Sequence, residues 1–258
     1  MSDFIPQEII LQILYCLPVK SLVKFTLVCK TWQSLITSPC FINTHLAKTL
    51  SKPLSSQPLL IRHFTDSPKK EHYFLHLNHE SLDIHQTLKS PLEPRKNLYP
   101  RIVGTVHGLI CLSDDIFGYT YRIMLWNPLV RKSIELPTPN VTFNEVGPYM
   151  FTLGFGFDAK KNYYKVVRLV YVQGDIGDDR FDYLPPKVEV FSVKEKGWRM
   201  VSGEGLECCF VEAMWTQCFL NGRVHWTTYI KALQIPVIVL NNMHASSVGY
   251  FLYRGKYH

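Results

Sequence analysis

The sequence predicts an α+β multidomain chain: a small N-terminal unit of three helices, followed by an antiparallel all-β, propeller-like region. Three observations point there. Up to about residue 50 the apolar residues recur at helical spacing. Beyond it, short apolar runs alternate with turn residues. Between the two, residues 51–58 (Ser-Lys-Pro-Leu-Ser-Ser-Gln-Pro) read as a linker.

In the helical part, Pro6 suits a first helical position, where its missing N–H costs nothing. Ile9, Ile10, Ile13, Leu14 and Leu17 form one apolar stripe, and Pro18 stops that helix. A second short helix follows Val19, with Leu22 and Phe25 facing inward, and a third carries Val28, Trp32, Leu35 and Ile36. Ser38 then caps a last turn, with Pro39 at its first position and Phe41 packing behind. So small a unit buries only a modest core. Its stripes are wide for its size, so part of them is expected to face a partner. The competing reading is a bundle that buries them all, with Ile13, Leu14 and Leu35 as core. Helical periodicity does not separate core from interface.

The β part shows candidate strands at residues 59–64, 73–77, 108–112, 122–126, 132–136, 151–157 and 164–172. Asn127-Pro128 turns one pair. Residues 188–193 and 198–201 form a hairpin around 194–197, and Asn221-Gly222 is a tight-turn signal between 218–220 and 224–226. No long helical pattern interrupts them, so the sheets are antiparallel. A weak repeat starts near Gly104, Thr152 and Phe219, in units of about 40–50 residues as propeller blades require. The chain has room for three or four blades where propellers have about 4–8, so an incomplete propeller with exposed edges is expected.

Composition closes off several classes. The chain has 258 residues, a formal charge of +7, 47% hydrophobic and 19% charged residues, which excludes a disordered chain. The longest apolar run lies around residues 235–240, far short of the roughly 20 that span a bilayer, and no secretory signal is visible. No membrane association and a cytoplasmic or nuclear location are expected. The cysteines, Cys16, Cys29, Cys40, Cys111, Cys208, Cys209 and Cys218, are odd in number and irregular in spacing. Reduced, mostly buried thiols are expected, with no disulfide framework and no cysteine zinc site.

Candidate chemistry is sparse. Residues 154–159 (Gly-Phe-Gly-Phe-Asp-Ala) fit a dinucleotide loop loosely, but a strand rather than a helix follows. No hydrolase, Walker or kinase motif occurs, so the chain is expected to be non-catalytic and without cofactor. His72, His76, His79 and His85 crowd one stretch, but in a strand His79 points away from His72 and His76, so no metal is expected. Asp175, Asp178, Asp179 and Asp182 beside Arg180 form a candidate target-binding loop; a solvated strand connection is the plainer reading. The basic pairs Lys69-Lys70, Arg95-Lys96, Arg131-Lys132 and Lys160-Lys161 are dispersed, so no nucleic-acid partner is expected. Asn140-Val141-Thr142 matches a glycosylation acceptor and is expected to stay unmodified.

The order of residues 4–22 (Phe-Ile-Pro-Gln-Glu-Ile-Ile-Leu-Gln-Ile-Leu-Tyr-Cys-Leu-Pro-Val-Lys-Ser-Leu) and 28–36 (Val-Cys-Lys-Thr-Trp-Gln-Ser-Leu-Ile) resembles an F-box. Ile5 stands where that family usually has Leu. Residues 100–226 resemble the F-box-associated domain of plant F-box proteins. The carriers are 108–112 (Gly-Leu-Ile-Cys-Leu), 125–128 (Leu-Trp-Asn-Pro), Leu136-Pro137, 154–158 with 164–167, 188–192 with Trp198, and 221–226 (Asn-Gly-Arg-Val-His-Trp). The resemblance implies an F-box at 2–48, a linker at 49–58, a partial-propeller β domain at 59–229 and an atypical tail at 230–258. It implies a non-catalytic substrate-recognition subunit of an SCF-type (Skp-cullin-F-box) ubiquitin ligase. The expected partners are a Skp-type linker protein, through it a cullin, and an unidentified target protein. Carried over by position, the linker-binding residues are Ile5, Pro6, Ile9, Ile10, Leu14, Leu17, Pro18, Val19, Leu22, Val28, Cys29, Trp32 and Ile36. Family members continue past the Asn-Gly…His-Trp element with further strands. Residues 227–258 do not resemble that continuation, so C-terminal truncation and a poorly packed end are expected. The alternative is a truncated or ligase-independent β-domain protein-binding module.

Overall fold

The structure is a computed structural model that describes residues 5–53, 58–66, 69–78, 81–92, 100–114, 121–174, 185–203, 206, 209–211, 217–230 and 236–242. The chain divides into two compact units, Met1–Pro91 with Asn127–Lys132, and Leu92–Trp126 with Ser133–His258.

The first unit opens with α1 (Gln7–Cys16), α2 (Val19–Phe25), α3 (Lys30–Thr37) and α4 (Pro39–Leu50). Pro6 is the N-cap of α1 rather than its first residue, and its carbonyl accepts from the Ile9 and Ile10 amides. Pro18 caps α2, directly after α1 has ended. Ser38 caps α4: its hydroxyl accepts from Phe41 N at 3.2 Å, with Pro39 at the first helical position. That helix has 12 residues, not the single turn expected, because no Gly or Pro interrupts it before Ser51. The unit thus has four helices, the last of them longer than the turn that the sequence suggested. Leu14, Leu22, Ile36 and Phe41 form the core, and Tyr15 stacks on Phe41 with centroids 4.7 Å apart.

The same unit holds an antiparallel sheet of β1 (Leu59–Asp66), β2 (Lys69–His76) and β3 (Ile84–Leu88), in that order. A bulge interrupts the β2–β3 register between Leu75 and His76. Tyr73, Leu75 and Leu88 are buried from one face. The strand β3 was not anticipated, since Asp83 and Gln86 dilute its apolar signal.

The second unit holds the four-stranded antiparallel meander of β4 (Arg101–Val106), β5 (Leu109–Ser113), β6 (Ile123–Asn127) and β7 (Lys132–Glu135). After a one-turn helix α5 (Phe143–Val146) comes a second meander of β8 (Tyr149–Asp158), β9 (Tyr163–Val172), β10 (Lys187–Ser192) and β11 (Gly197–Val201). A third sheet centres on β14 (Arg223–Ile230), flanked by β12 (Cys209–Val211), β13 (Cys218–Leu220) and β15 (Pro236–Asn242). Asn221 and Gly222 turn β13 into β14 with φ of 51° and 72°, the left-handed pair that a two-residue hairpin needs. Pairing of β15 with β14 runs from Arg223↔Asn242 to Tyr229↔Pro236, so regular structure extends into the stretch that the sequence set apart.

The middle meander is buried on both faces. Val166, Val170 and Phe191 join Val103, Cys111 and Leu125 of the first meander in one core. Val167, Leu169, Val188 and Val190 join Val224 and Trp226 of the third sheet in another. Blade-like sheets stacked face to face follow, an antiparallel propeller-like arrangement with a near-continuous apolar run in β9. Within it Arg168 pairs with Glu189 directly opposite on β10, Nη1 to Oε2 at 2.6 Å, both buried. Glu189 Oε1 accepts from the amides of Asn140 (2.7 Å) and Val141 (3.0 Å), and Arg168 donates to Val141 O at 2.9 Å.

The thiols depart from expectation. Only Cys111 is buried among the described cysteine side chains; Cys16, Cys29, Cys40 and Cys218 are exposed. Cys16 ends α1, Cys29 caps α3 and Cys40 lies in the first turn of α4, positions that face solvent. Residues 154–158 lie within β8, so the glycines there belong to a strand.

Candidate docking surface on the helical unit

The four helices leave large apolar side chains in solvent. On α1, Ile9 and Ile13 lie one turn apart on one face and are both exposed, while Leu14 is fully buried. Ile5 precedes the helix and is 54% exposed. Leu27 and Val28 lie between α2 and α3, 86% and 61% exposed, and Val23 on α2 is exposed as well. Cys29 extends from the same turn and accepts from Trp32 N through its sulfur at 3.5 Å. The Trp32 indole is half-buried, edge-on to Phe25 with centroids 5.3 Å apart, which fixes its orientation while leaving part of it accessible. On α4, Ile42 and Leu50 are exposed.

This places the sequence-derived surface residue by residue. Ile5, Pro6, Ile9, Pro18, Val28 and Cys29 are exposed, and Ile10, Leu17, Val19 and Trp32 are half-buried. Leu14, Leu22 and Ile36 are instead buried in the bundle core and offer a partner little surface. Ile13, read as core, is instead exposed. Leu27 and Val23 were missed. Leu27 could have been found, because an apolar residue in a turn between two short helices has no neighbouring stripe to join.

Charge is one-sided. Residues 7–50 carry Lys20, Lys24, Lys30 and Lys48 against Glu8 alone. Lys48 Nζ lies 4.8 Å from the Tyr15 ring centroid, a cation–π contact at the bundle surface. His45 anchors α4 to the end of α1 through Nε2 to Leu17 O at 2.9 Å. An apolar, basic surface of this kind matches a partner that presents apolar pockets among acidic groups.

Two profiles match the chain: an F-box domain over residues 4–44 and an F-box associated beta propeller domain over residues 65–247. The chain belongs to the F-box associated β-propeller family. Its relatives include F-box protein At3g07870 of Arabidopsis thaliana, 28% identical over 242 residues, covering 88% of this chain and 54% of the relative. The F-box/kelch-repeat protein At3g23880 of Arabidopsis thaliana is 28% identical over 233 residues, 86% of this chain and 58% of the relative. The putative F-box protein At1g47790 of the same plant is 32% identical over 170 residues, 64% of this chain and 39% of the relative. The chain spans about half the length of the curated relatives it matches.

In the F-box associated region the acidic candidates Asp175, Asp178, Asp179, Arg180 and Asp182 lie outside the described residues, as does His79. His72 and His76 lie on β2 and His85 on β3. Among the described residues, no group of three or more His, Cys, Asp or Glu is placed to hold a metal ion, and no helix is long and apolar enough to cross a membrane.

Proposed function

We propose that this chain is the non-catalytic, target-choosing subunit of an SCF-type ubiquitin ligase. Its F-box docks a Skp-type linker that attaches to a cullin, and its β region holds a target protein. What supports this is the outward set of Ile5, Ile9, Ile13, Leu27 and Val28, an amount of exposed aliphatic surface that so small a bundle has no internal use for. The lysines of the same helical unit, Lys20, Lys24, Lys30 and Lys48, favour an acidic partner. The mechanism is proximity: holding a target beside a loaded ubiquitin carrier raises the effective concentration of the target's lysines, with no bond made by this chain.

Biolayer interferometry of the full chain against a purified Skp-type linker tests the reading. Binding is expected, and Ile9→Asp and Val28→Asp are each expected to weaken it at least about tenfold, as truncating a central anchor does. No binding by the wild-type chain, at concentrations where a known F-box protein binds, rejects the ligase role and leaves a ligase-independent protein-binding module.

A further inference from the structure

On the three-stranded sheet of the first unit, His63 of β1 stands directly opposite His72 of β2. Directly opposed residues on antiparallel strands share a face, with Cβ atoms about 4.5–5.5 Å apart. Their ring centroids are 6.4 Å apart and tilted by 37°. Phe74, two residues along β2, stacks on His72 at 5.9 Å and 7°, which holds that ring in place. His63 is exposed and His72 half-buried, so the gap between them is open to solvent.

What separates this pair from His45, His76, His107 and His225 is that neither ring has a hydrogen-bond partner among the described residues. His76 is committed through Nδ1 to Leu82 O at 2.6 Å, and His45 through Nε2 to Leu17 O. His225 Nδ1 contacts Cys218 O, and His107 Nδ1 contacts the Tyr164 hydroxyl. Arg62, the neighbouring cation on β1, is paired with Glu71, and adjacent residues of a strand point to opposite faces. Lys70 occupies the register position opposite Thr65, two residues along.

We infer that His63 and His72 form a two-nitrogen site for a divalent transition metal of the zinc class. Such metals bind imidazole nitrogen at about 2.0–2.1 Å, and two rings on one face with centroids 6.4 Å apart can both turn a nitrogen toward one ion between them. Two protein nitrogens leave further positions for water or for a ligand side chain on a docked protein. The inference is independent of the ligase reading, since it concerns this sheet and not the F-box.

Zinc chloride titrated into the full chain by calorimetry, with cysteines blocked by iodoacetamide, tests it. At about pH 7.5 zinc uptake is expected, and His63→Ala and His72→Ala should each weaken it at least about tenfold, the loss that removing even an outer partner can cause. His85→Ala, which removes a histidine of the same sheet, should leave uptake unchanged. His63→Gln serves if His63→Ala alters the far-UV circular dichroism. No zinc uptake by the wild-type chain, or uptake by the His63 and His72 variants as tight as the wild type's, overturns the site.

Discussion

Trp226 is seated on Gly154. The indole of β14 is fully buried, donates Nε1–H to Leu153 O at 3.0 Å, and lies where a β-carbon on Gly154 would collide with its ring. The same β-carbon would come within 2.9 Å of Val224 Cγ1. The third sheet is therefore keyed into the middle meander by a large flat ring that fits only because the facing residue has no side chain.

Gly154→Ala is expected to destabilise the β region by about 1–3 kcal/mol, the usual cost of forcing extra volume into a packed core. Urea denaturation followed by tryptophan fluorescence checks this. An unchanged midpoint would mean that β14 does not pack on β8 in this way.

The Arg168–Glu189 pair is a second point of dependence. Glu189 also receives the Asn140 and Val141 amides, so it ties the loop after β7 to the middle meander. Glu189→Gln keeps an acceptor for those amides but leaves the buried guanidinium without a counter-charge. A loss of about 3–5 kcal/mol is expected, as for breaking other buried pairs. The double variant Arg168→Met with Glu189→Gln should lose less than the two single losses added together. Additive losses in the urea midpoint would show that the two groups are not coupled.

Much of this architecture was legible in the sequence because its punctuation is strong. Pro18 and the Ser38-Pro39 cap mark helix ends, and Asn221-Gly222 marks the β13–β14 hairpin. What was not legible depends on residues far apart in sequence. Lys165 and Arg168 interrupt the apolar run of β9, and both are buried because Asp158 and Glu189 meet them across strands. In the helical unit, Ile13 and Leu14 are adjacent and equally apolar, but one faces solvent and the other the core. Periodicity defines a stripe; which edge of it Phe41 and Leu22 cover is settled only by how the helices pack.

Acid should loosen the turn between β4 and β5. His107 holds a left-handed φ of 50° there, edge-on to Phe157 at 4.8 Å and beside Tyr164. Burial lowers its pKa from 6.5, and burial pushes the Tyr164 hydroxyl up to about 12. A histidine depressed in the folded state binds its proton more readily when unfolded. Its stability contribution is therefore present above 6.5 and is lost as pH falls from there through the folded value. The urea midpoint should drop between about pH 7.5 and pH 5.5. His107→Asn, which tolerates the left-handed backbone, should make that drop smaller. An equal drop in the variant would assign the acid sensitivity to other groups.

The division between core and exposed aliphatic side chains in the F-box makes opposite demands on two leucines. Leu14 is fully buried among Leu22, Ile36 and Phe41, so Leu14→Ala should cost about 2–5 kcal/mol of stability through lost burial and a cavity. Leu27 is 86% exposed, so Leu27→Asp should leave stability within about 0.5 kcal/mol. If the chain docks a Skp-type linker as proposed, the same change should weaken that binding by about 2 kcal/mol or more, since it would put a carboxylate into an apolar contact. Thermal unfolding and linker affinity, measured on both variants, separate the two roles. If Leu27→Asp unfolds the chain while binding per folded molecule is unchanged, Leu27 belongs to the core and the outward aliphatic set is not a docking face.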